Sequence, residues 1–510
     1  MPVHPSMSPI EEALRAELAA EQAARAAERA AFEAVIARLE ARIAELEPRL
    51  GMDSTNSGTP TSKESIQAAA RRKALRQTSE RQRSKDRRPG GQKCHRGASL
   101  EPTRDPDDTR EAEPPAECSG CGQGLAGAPL TGWSWGQVWD MPPVALEKVH
   151  WRVPKVRCGG CGRTTTATPP FGQAGTVTYG PNVNAAAILL SSQGNVPVER
   201  TAMVMAALLG ASVSPGLVAR AHHRLTDPLE QADFDQAMKD ALQAEDVLCG
   251  DQSPVNVLGK DLDPVSGQPE PGAEHVVTLR TPDARLIWYA PVSSRSSKAL
   301  AALGVLDDYA GYLVRDDYRG WEQFDARLAG VQQCCQHLLR ALKAVHGLHP
   351  SWQQWAEEVR VVLREANAAV GAAIADGHDQ LDPDLLAELR ARYDHAVGWG
   401  EITNRHREWD EGKNHPGYVL ARRLKAKAEQ VWTFTRTFAV PWTNNASEQA
   451  LKGPKRHQAV SGYWHTLATL GRYCRVRSYL LSARGHGVRT IDAIHAALAG
   501  HPWLPTPIGA

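Results

Sequence analysis

Apolar and polar positions change rhythm several times along the chain, and each rhythm predicts a different element. From about Ile10 to Leu50 the residues are mostly Ala, Glu, Arg and Leu, without Gly. Phe32, Leu39 and Leu46 recur every seventh residue, as do Ile36, Ile43 and Leu50. The two series interleave as the a and d positions of a coiled coil. A single amphipathic helix folded onto its own domain is the competing explanation. Gly51 to about Ser65 is mostly Ser, Thr, Gly, Pro and Asn, the composition of a flexible linker.

Helical periodicity returns from Tyr179 to about Leu229. One helix is predicted over Asn182 to Ser192 and a second from Val198 to Leu209. After the turn Gly210-Ala211-Ser212-Val213-Ser214-Pro215, a third is predicted over Gly216 to Leu225. Helix, short Gly turn and helix with basic residues is a helix-turn-helix pattern, although most such pairs are simply packed helices. From Asp246 the texture turns to strands. Val247 to Val257 is one, and His275 to Arg280 with Arg285 to Val292 reads as a hairpin. A helix over Ser296 to Leu303 follows, then strands over Gly311 to Asp316 and Val331 to Cys335. Three strands, a helix and a strand match the ribonuclease-H-like order. Trp352 to about Trp432 is helical with charged faces, an insertion. A helix opens near Glu448, helical texture continues over Leu467 to Arg484, and a short Pro-containing tail closes the chain.

The expectation is a multidomain α+β protein. Residues 1–50 are a coiled coil, 51–97 a linker with a basic stretch, 98–172 a zinc ribbon and 173–235 a helical DNA-binding module. The ribonuclease-H-like α/β core occupies 236–345 and 436–490, split by a helical insertion at 346–435, and 491–510 is the tail.

Charge adds a partner to this picture. The net charge of the 510 residues is only +1, but eleven Lys and Arg lie between Arg71 and Arg96 against Glu80 and Asp86. Such a stretch cannot bury a core and suits a polyanion, although many charge runs are only solvated linkers. No apolar run approaches a membrane span, and Met1 is not followed by a secretory signal. The expectation is a cytoplasmic, nucleoid-associated protein.

In that compartment the nine cysteines are not a disulfide framework. Cys118-Ser119-Gly120-Cys121 and Cys158-Gly159-Gly160-Cys161 are two knuckles. Each aims two thiolates at one ion, and together they supply the four ligands of a structural Zn²⁺. Strand-like material at Gly136 to Trp139 and Val149 to Val153 suggests a hairpin between them.

Three acids stand in distinct settings. Asp251 follows Val247-Leu248-Cys249, Asp316 follows Tyr312-Leu313-Val314, and Glu448 lies in Thr443-Asn444-Asn445-Ala446-Ser447-Glu448. Two strand-borne aspartates and a distant helical glutamate are what two-metal phosphoryl transfer requires. Each acid also has an ordinary explanation: an Asx turn for Asp251, a strand end for Asp316 and Asp317, and a capping box from Asn445 to Glu448.

The ordered set of motifs resembles a family, the DDE transposases of insertion-sequence family sixty-six (TnpC type). The resemblance runs through the coiled coil, the linker, Arg88-Pro89-Gly90-Gly91-Gln92 and the knuckles. It continues through Tyr179-Gly180-Pro181, Pro197-Val198-Glu199-Arg200-Thr201 and Asp316-Asp317-Tyr318-Arg319-Gly320-Trp321. Asn444-Asn445-Ala446-Ser447-Glu448, Ser461-Gly462-Tyr463-Trp464 and Arg477-Ser478-Tyr479-Leu480 complete it. It implies that Asp251, Asp316 and Glu448 are catalytic and bind two Mg²⁺, with Mn²⁺ as substitute. It also implies cleavage at the 3′ ends of the element and joining to target DNA. Gln252-Ser253, Asp317 and Gln449 depart from the family pattern, so Asp317 competes with Asp316 as the second acid. Arg71, Arg72, Lys73, Arg87, Arg88, Lys93, Arg200, Arg220, Lys452, Lys455 and Arg456 are the expected contacts to double-stranded DNA, with His457 beside them. Expected partners are transposon ends, target DNA, further copies of the chain and small accessory proteins encoded by the same element. The alternative is a catalytically inactive DNA-binding regulator or a decayed transposase.

Overall fold

A computed structural model describes residues 9–50, 100–141, 144–170, 173–259, 274–407, 409 and 412–506, with side chains of the first helix over 17–40. The expected DNA contacts Arg71, Arg72, Lys73, Arg87, Arg88 and Lys93 lie outside the described residues, as do the linker and the rest of the basic stretch. The chain divides into two compact units, one spanning Ser79–Glu147 and one containing the remainder.

Within the smaller unit, the first knuckle is a tight turn. Gly122 N–H donates to the Cys118 carbonyl, Cys118 N–H donates to the Gln123 carbonyl, and Glu117 bridges Gly124. The strand expected at 136–139 does not form, and Val138 is 90 % exposed. Val138 and Trp139 are residue types that strands favour, but among the described residues this segment has no neighbouring strand to take its N–H and C=O groups.

In the larger unit, helix α1 (Pro9–Leu50) carries the N-terminal pattern as one continuous element. The strand expected at Val149 to Val153 is also absent; the hairpin is instead β1 (Lys155–Arg157) with β2 (Thr164–Thr166), around the second knuckle. The knuckle turn fixes the register, because Cys158 N–H donates to the Arg163 carbonyl and pulls its own flanks into pairing.

Helices α2 (Pro181–Ser192), α3 (Val198–Leu209), α4 (Pro215–Ala219), α5 (Ala221–Gln231) and α6 (Phe234–Gln243) follow. Gly210 ends α3 at φ 61°, a left-handed conformation glycine adopts without strain, and Ser214 caps α4 by accepting the Leu217 N–H. The third predicted helix is broken at Arg220 and runs on to Gln231, because Leu225 and Leu229 keep one face in the core.

The central sheet has five strands in the order β6-β5-β3-β7-β8. They are β3 (Val247–Pro254), β5 (His275–Arg280), β6 (Ile287–Val292), β7 (Tyr312–Arg315) and β8 (Gly330–Gln333). The first three are antiparallel, while β3, β7 and β8 are parallel. Helix α7 (Ser297–Ala301) makes the crossover from β6 to β7. A small parallel pair, β4 (Val257–Gly259) with β9 (Trp464–Thr466), was not readable from the alternation because each strand is too short.

After β8 come α8 (Cys335–Leu348), α9 (Gln354–Ala375), α10 (Pro383–Asn404) and α11 (Pro416–Ala426), then the short α12 (Ala428–Val431) and α13 (Thr433–Arg436). They enclose their own core around Trp355, Tyr393 and Trp432. Helices α14 (Asn445–Ser461), α15 (Leu467–Gly485) and α16 (Thr490–Leu498) close the fold. The segment read as a tail is thus partly a packed helix, with Ala493, Ile494 and Ala497 fully buried.

Helix α15 covers the outer edge of the sheet: Ser478 and Ser482 accept the N–H groups of Tyr289 and Ile287 in β6. One hydrophobic core runs from Ala185 through the sheet residues Leu248, Val277 and Leu313 to Ala497. The helical module at 181–231 therefore shares its core with the sheet. Arg477 ties the two further, donating to the Ser192 carbonyl at 2.9 Å.

Candidate functional site

The register of the parallel strands brings two of the acids together. β3 pairs with β7 as Cys249 beside Val314. Carried two places on, that register sets Asp251 beside Asp316, on the same face as Cys249 and Val314, because side chains alternate along a strand. Asp251 is inside β3, and Asp316 is the first residue beyond β7.

Asp316 is held from its own loop. Its Oδ1 accepts the Tyr318 N–H at 3.2 Å and the Trp321 Nε1–H at 3.1 Å. The adjacent side chains belong to other networks. Arg315, fully buried, makes a two-pronged pair with Asp325 at 2.7 and 2.9 Å. Asp317 accepts from Arg423 at 3.1 Å and from Lys427 at 2.6 Å, both on the helical insertion, and Lys427 also pairs with Glu322. The two adjacent acids differ in geometry: Asp316 shares the field of Asp251, and Asp317 is engaged by the insertion.

Glu448 enters from the first turn of α14. The capping-box explanation does not hold, because the N-cap is Asn444 and no side chain caps the helix start. The Glu448 Oε1 lies instead 3.8 Å from His337 Nε2 and 3.7 Å from Arg340 Nη2, both on α8. Asn444 fixes this helix start. Its side-chain amide donates to the Gly250 carbonyl at 2.7 Å, and its own N–H points at Cys334 Sγ at 3.1 Å. Arg280 adds a bond to the Ala446 carbonyl at 3.1 Å.

Electrostatics follow from this convergence. Burial, then the neighbouring charge of Asp316, with Glu448 adding to it, pushes Asp251 up to about 7. Burial also raises Asp316 and Glu448, the latter opposed by Arg340, Lys455 and Lys452. Glu448 Oε1 is buried without a hydrogen-bond partner. Carboxylates pressed together with an unsatisfied oxygen suit a hard divalent cation, which offsets the repulsion and takes oxygen ligands. The residues present fit Mg²⁺ or Mn²⁺.

Of the expected DNA contacts that are described, Arg200, Arg220, Lys452, Lys455 and Arg456 are all exposed. Lys455 also lines a cleft of about 380 Å³ with Ser253, Pro254, Asn256, Gln458, Ala459 and Gly462. His457 differs from expectation. It stacks on Trp464 with ring centroids 4.8 Å apart, and burial lowers it to about 4, so it serves the core. Sequence reasoning places Asn444 and Trp321 in motifs without giving them a role, and it misses Arg423 and Lys427. It also misses Cys334 as a neighbour of Glu448, although the spacing Cys334-x-x-His337 is a signal that points there.

The knuckles share one local geometry. N–H groups of Gly120 and Cys121 hold the Cys118 thiol below its ordinary range, and those of Cys161 and Gly160 do the same for Cys158. No helix among the described residues is long and apolar enough to cross a membrane.

A family model of unknown function, DUF6444, matches residues 4–101. The comparison with curated proteins gives no match. The model of the Transposase IS66 family matches residues 176–470, which include the sheet, the insertion and all three acids. The chain belongs to the IS66 transposase family.

Proposed function

We propose that this transposase binds the ends of its insertion sequence, cleaves the 3′ ends and joins them to target DNA at a site made by Asp251, Asp316 and Glu448. The observation that carries the reading is that Asp251 and Asp316 follow the paired stretch of two parallel strands, close enough for the charge of Asp316 to act on Asp251, while α14 delivers Glu448. Two divalent cations bound by these carboxylates would polarise the scissile phosphodiester and activate the attacking oxygen.

The protein's own groups do the positioning. Tyr318 N–H and Trp321 Nε1–H leave one Asp316 oxygen for a cation and fix the other. The Asn444 amide locks the Glu448 helix to the strand that carries Asp251. Lys452 and Lys455 place positive charge beside the acids, where DNA phosphates must pass. In-line displacement by water and then by the freed 3′-hydroxyl needs no covalent intermediate. One site therefore serves both steps.

The zinc role of Cys118, Cys121, Cys158 and Cys161 rests on their C-x-x-C spacing and on the turn at each knuckle taken separately. The exposed seam of α1, with Phe32, Ile36 and Leu39 each more than half exposed, supports assembly of several copies.

The test is cleavage of labelled end DNA in Mg²⁺ or Mn²⁺ by wild type and Glu448→Gln. The reading expects metal-dependent 3′-end cleavage by wild type alone, with end binding equal in both proteins. Equal cleavage by both would remove Glu448 from the chemistry. Binding without cleavage by either would favour the DNA-binding regulator.

A further inference from the structure

We propose that Cys334, His337 and Glu448 form a second kind of cation site, one for Zn²⁺ or a similar thiophilic ion, which borrows Glu448 from the catalytic carboxylates. Donor atoms of the three side chains all lie within 4.8 Å of one another. Zinc bonds of about 2.0–2.3 Å place neighbouring ligands somewhat closer than this, a gap that side-chain rotation closes.

The local fold prepares each ligand. Cys334 is the N-cap of α8, and His337 follows one turn later on the same helix face. Backbone N–H groups of Asn444, His337 and Gln336 are aimed at the sulfur. Burial and the neighbouring Glu448 charge push the free thiol up to about 12; these N–H groups act the other way and orient the sulfur as outer partners of a metal ligand do, so it is a bound cation that must take the proton's place. His337 Nδ1 and Glu448 Oε1 are both buried without a hydrogen-bond partner. Cys335, the next residue, faces the core of the insertion and accepts from Gln332, so the pair of cysteines is divided between two tasks.

Sulfur, imidazole and carboxylate are the donors of Zn²⁺ and Co²⁺, and a thiolate is a poor ligand for Mg²⁺. Binding transfers the Cys334 thiol proton to solvent and forms the metal–sulfur bond. Three protein ligands leave a fourth position, reachable because the side chains of His337 and Glu448 are 35 % and 34 % exposed. The incoming ion must displace the Arg340 contact to Glu448. Occupancy would withdraw Glu448 from the catalytic set, so a thiophilic ion would restrain cleavage. Only this consequence rests on the catalytic reading of Glu448; the binding does not.

The test is a Co²⁺ titration of the full chain after chelation, followed by thiolate-to-metal absorption, in wild type, Cys334→Ser, Cys335→Ser and His337→Gln. The knuckle cysteines contribute equally to all four. The proposal expects Cys334→Ser to lack one thiolate-bound equivalent that wild type and Cys335→Ser retain. It expects His337→Gln to weaken that equivalent by more than the roughly 10–100-fold that loss of an outer partner costs. Identical titrations of wild type and His337→Gln, or of wild type and a normally melting Cys334→Ser, would overturn it. Zn²⁺ added against excess Mg²⁺ should also inhibit wild type more than Cys334→Ser. A protein that binds the extra equivalent and never cleaves DNA would sink the catalytic reading and leave this site standing.

Discussion

The side-chain amide of Asn444 donates to the carbonyl of Gly250 at 2.7 Å, one residue before Asp251. This single bond joins the strand of the first acid to the start of the helix that carries the third. Both groups are buried, and Asn444 is fully so. Asn444→Ala would leave the Gly250 carbonyl without this partner, at a cost of about 1–3 kcal/mol. Chemical denaturation should show that loss, and cleavage should fall by more than end binding does. Unchanged cleavage would mean that Glu448 is positioned by other contacts.

Asp316 and Asp317 are adjacent in sequence and engage different partners. Asp317→Asn removes the carboxylate that Arg423 and Lys427 share. These partners are partly exposed, so the stability cost should be only about 1 kcal/mol. Metal-dependent cleavage should persist in Asp317→Asn and be lost in Asp316→Asn. Cleavage assays on the two variants with matched end binding decide it, and the reverse pattern would transfer the catalytic role to Asp317.

The pH dependence has a definite sign. Asp251 is raised to about 7 from an ordinary value of 3.8. A carboxyl raised on folding favours the folded state while it is protonated. That contribution is complete below the ordinary value and is lost as pH rises through the raised one. Metal-free wild type should therefore lose melting temperature between about pH 4 and pH 7. Asp251→Asn should lose less and be the more stable protein above that window. Mg²⁺ should stabilise wild type chiefly above about pH 7, where the carboxylate is free of its proton. Parallel melting curves for the two chelated proteins would contradict the placement of Asp251 among repelling acids.

The α1 seam predicts assembly. Ile36 and Leu39 are 53 % and 56 % exposed on one helix, an apolar surface with water on it. Ile36→Glu with Leu39→Glu should convert a self-associating protein to a smaller species by analytical ultracentrifugation, with little change in melting temperature. An unchanged mass would return α1 to the role of a lone helix.

Long periodic segments were legible in the sequence. The helices at 181–192, 198–209 and within the insertion, the strand bearing Asp251 and the strand leading to Asp316 arise from apolar spacing that needs no tertiary partner to recognise. The failures share a cause. Val138 and Trp139 are residue types that strands favour, but pairing requires a neighbour, and the sequence does not reveal one. The reverse holds for β4 and β9, which pair across 200 residues of chain with only three residues each. In the site, the acids could be found by their local settings, whereas Asn444, Arg423 and Lys427 act through contacts distant in sequence. Asn445 and Glu448 have the spacing of a capping box, and only the position of α8 turns the carboxylate elsewhere.

The most direct test of the site is a change of ligand chemistry at Asp316. A thiolate binds Mg²⁺ poorly and accepts the softer Mn²⁺ more readily. Asp316→Cys and Asp317→Cys would be compared for 3′-end cleavage in Mg²⁺ and in Mn²⁺. Asp316→Cys should be inactive in Mg²⁺ and partly restored by Mn²⁺, while Asp317→Cys should cleave in both. Restoration at Asp317, or full Mg²⁺ activity in Asp316→Cys, would contradict direct binding of the catalytic cation by Asp316.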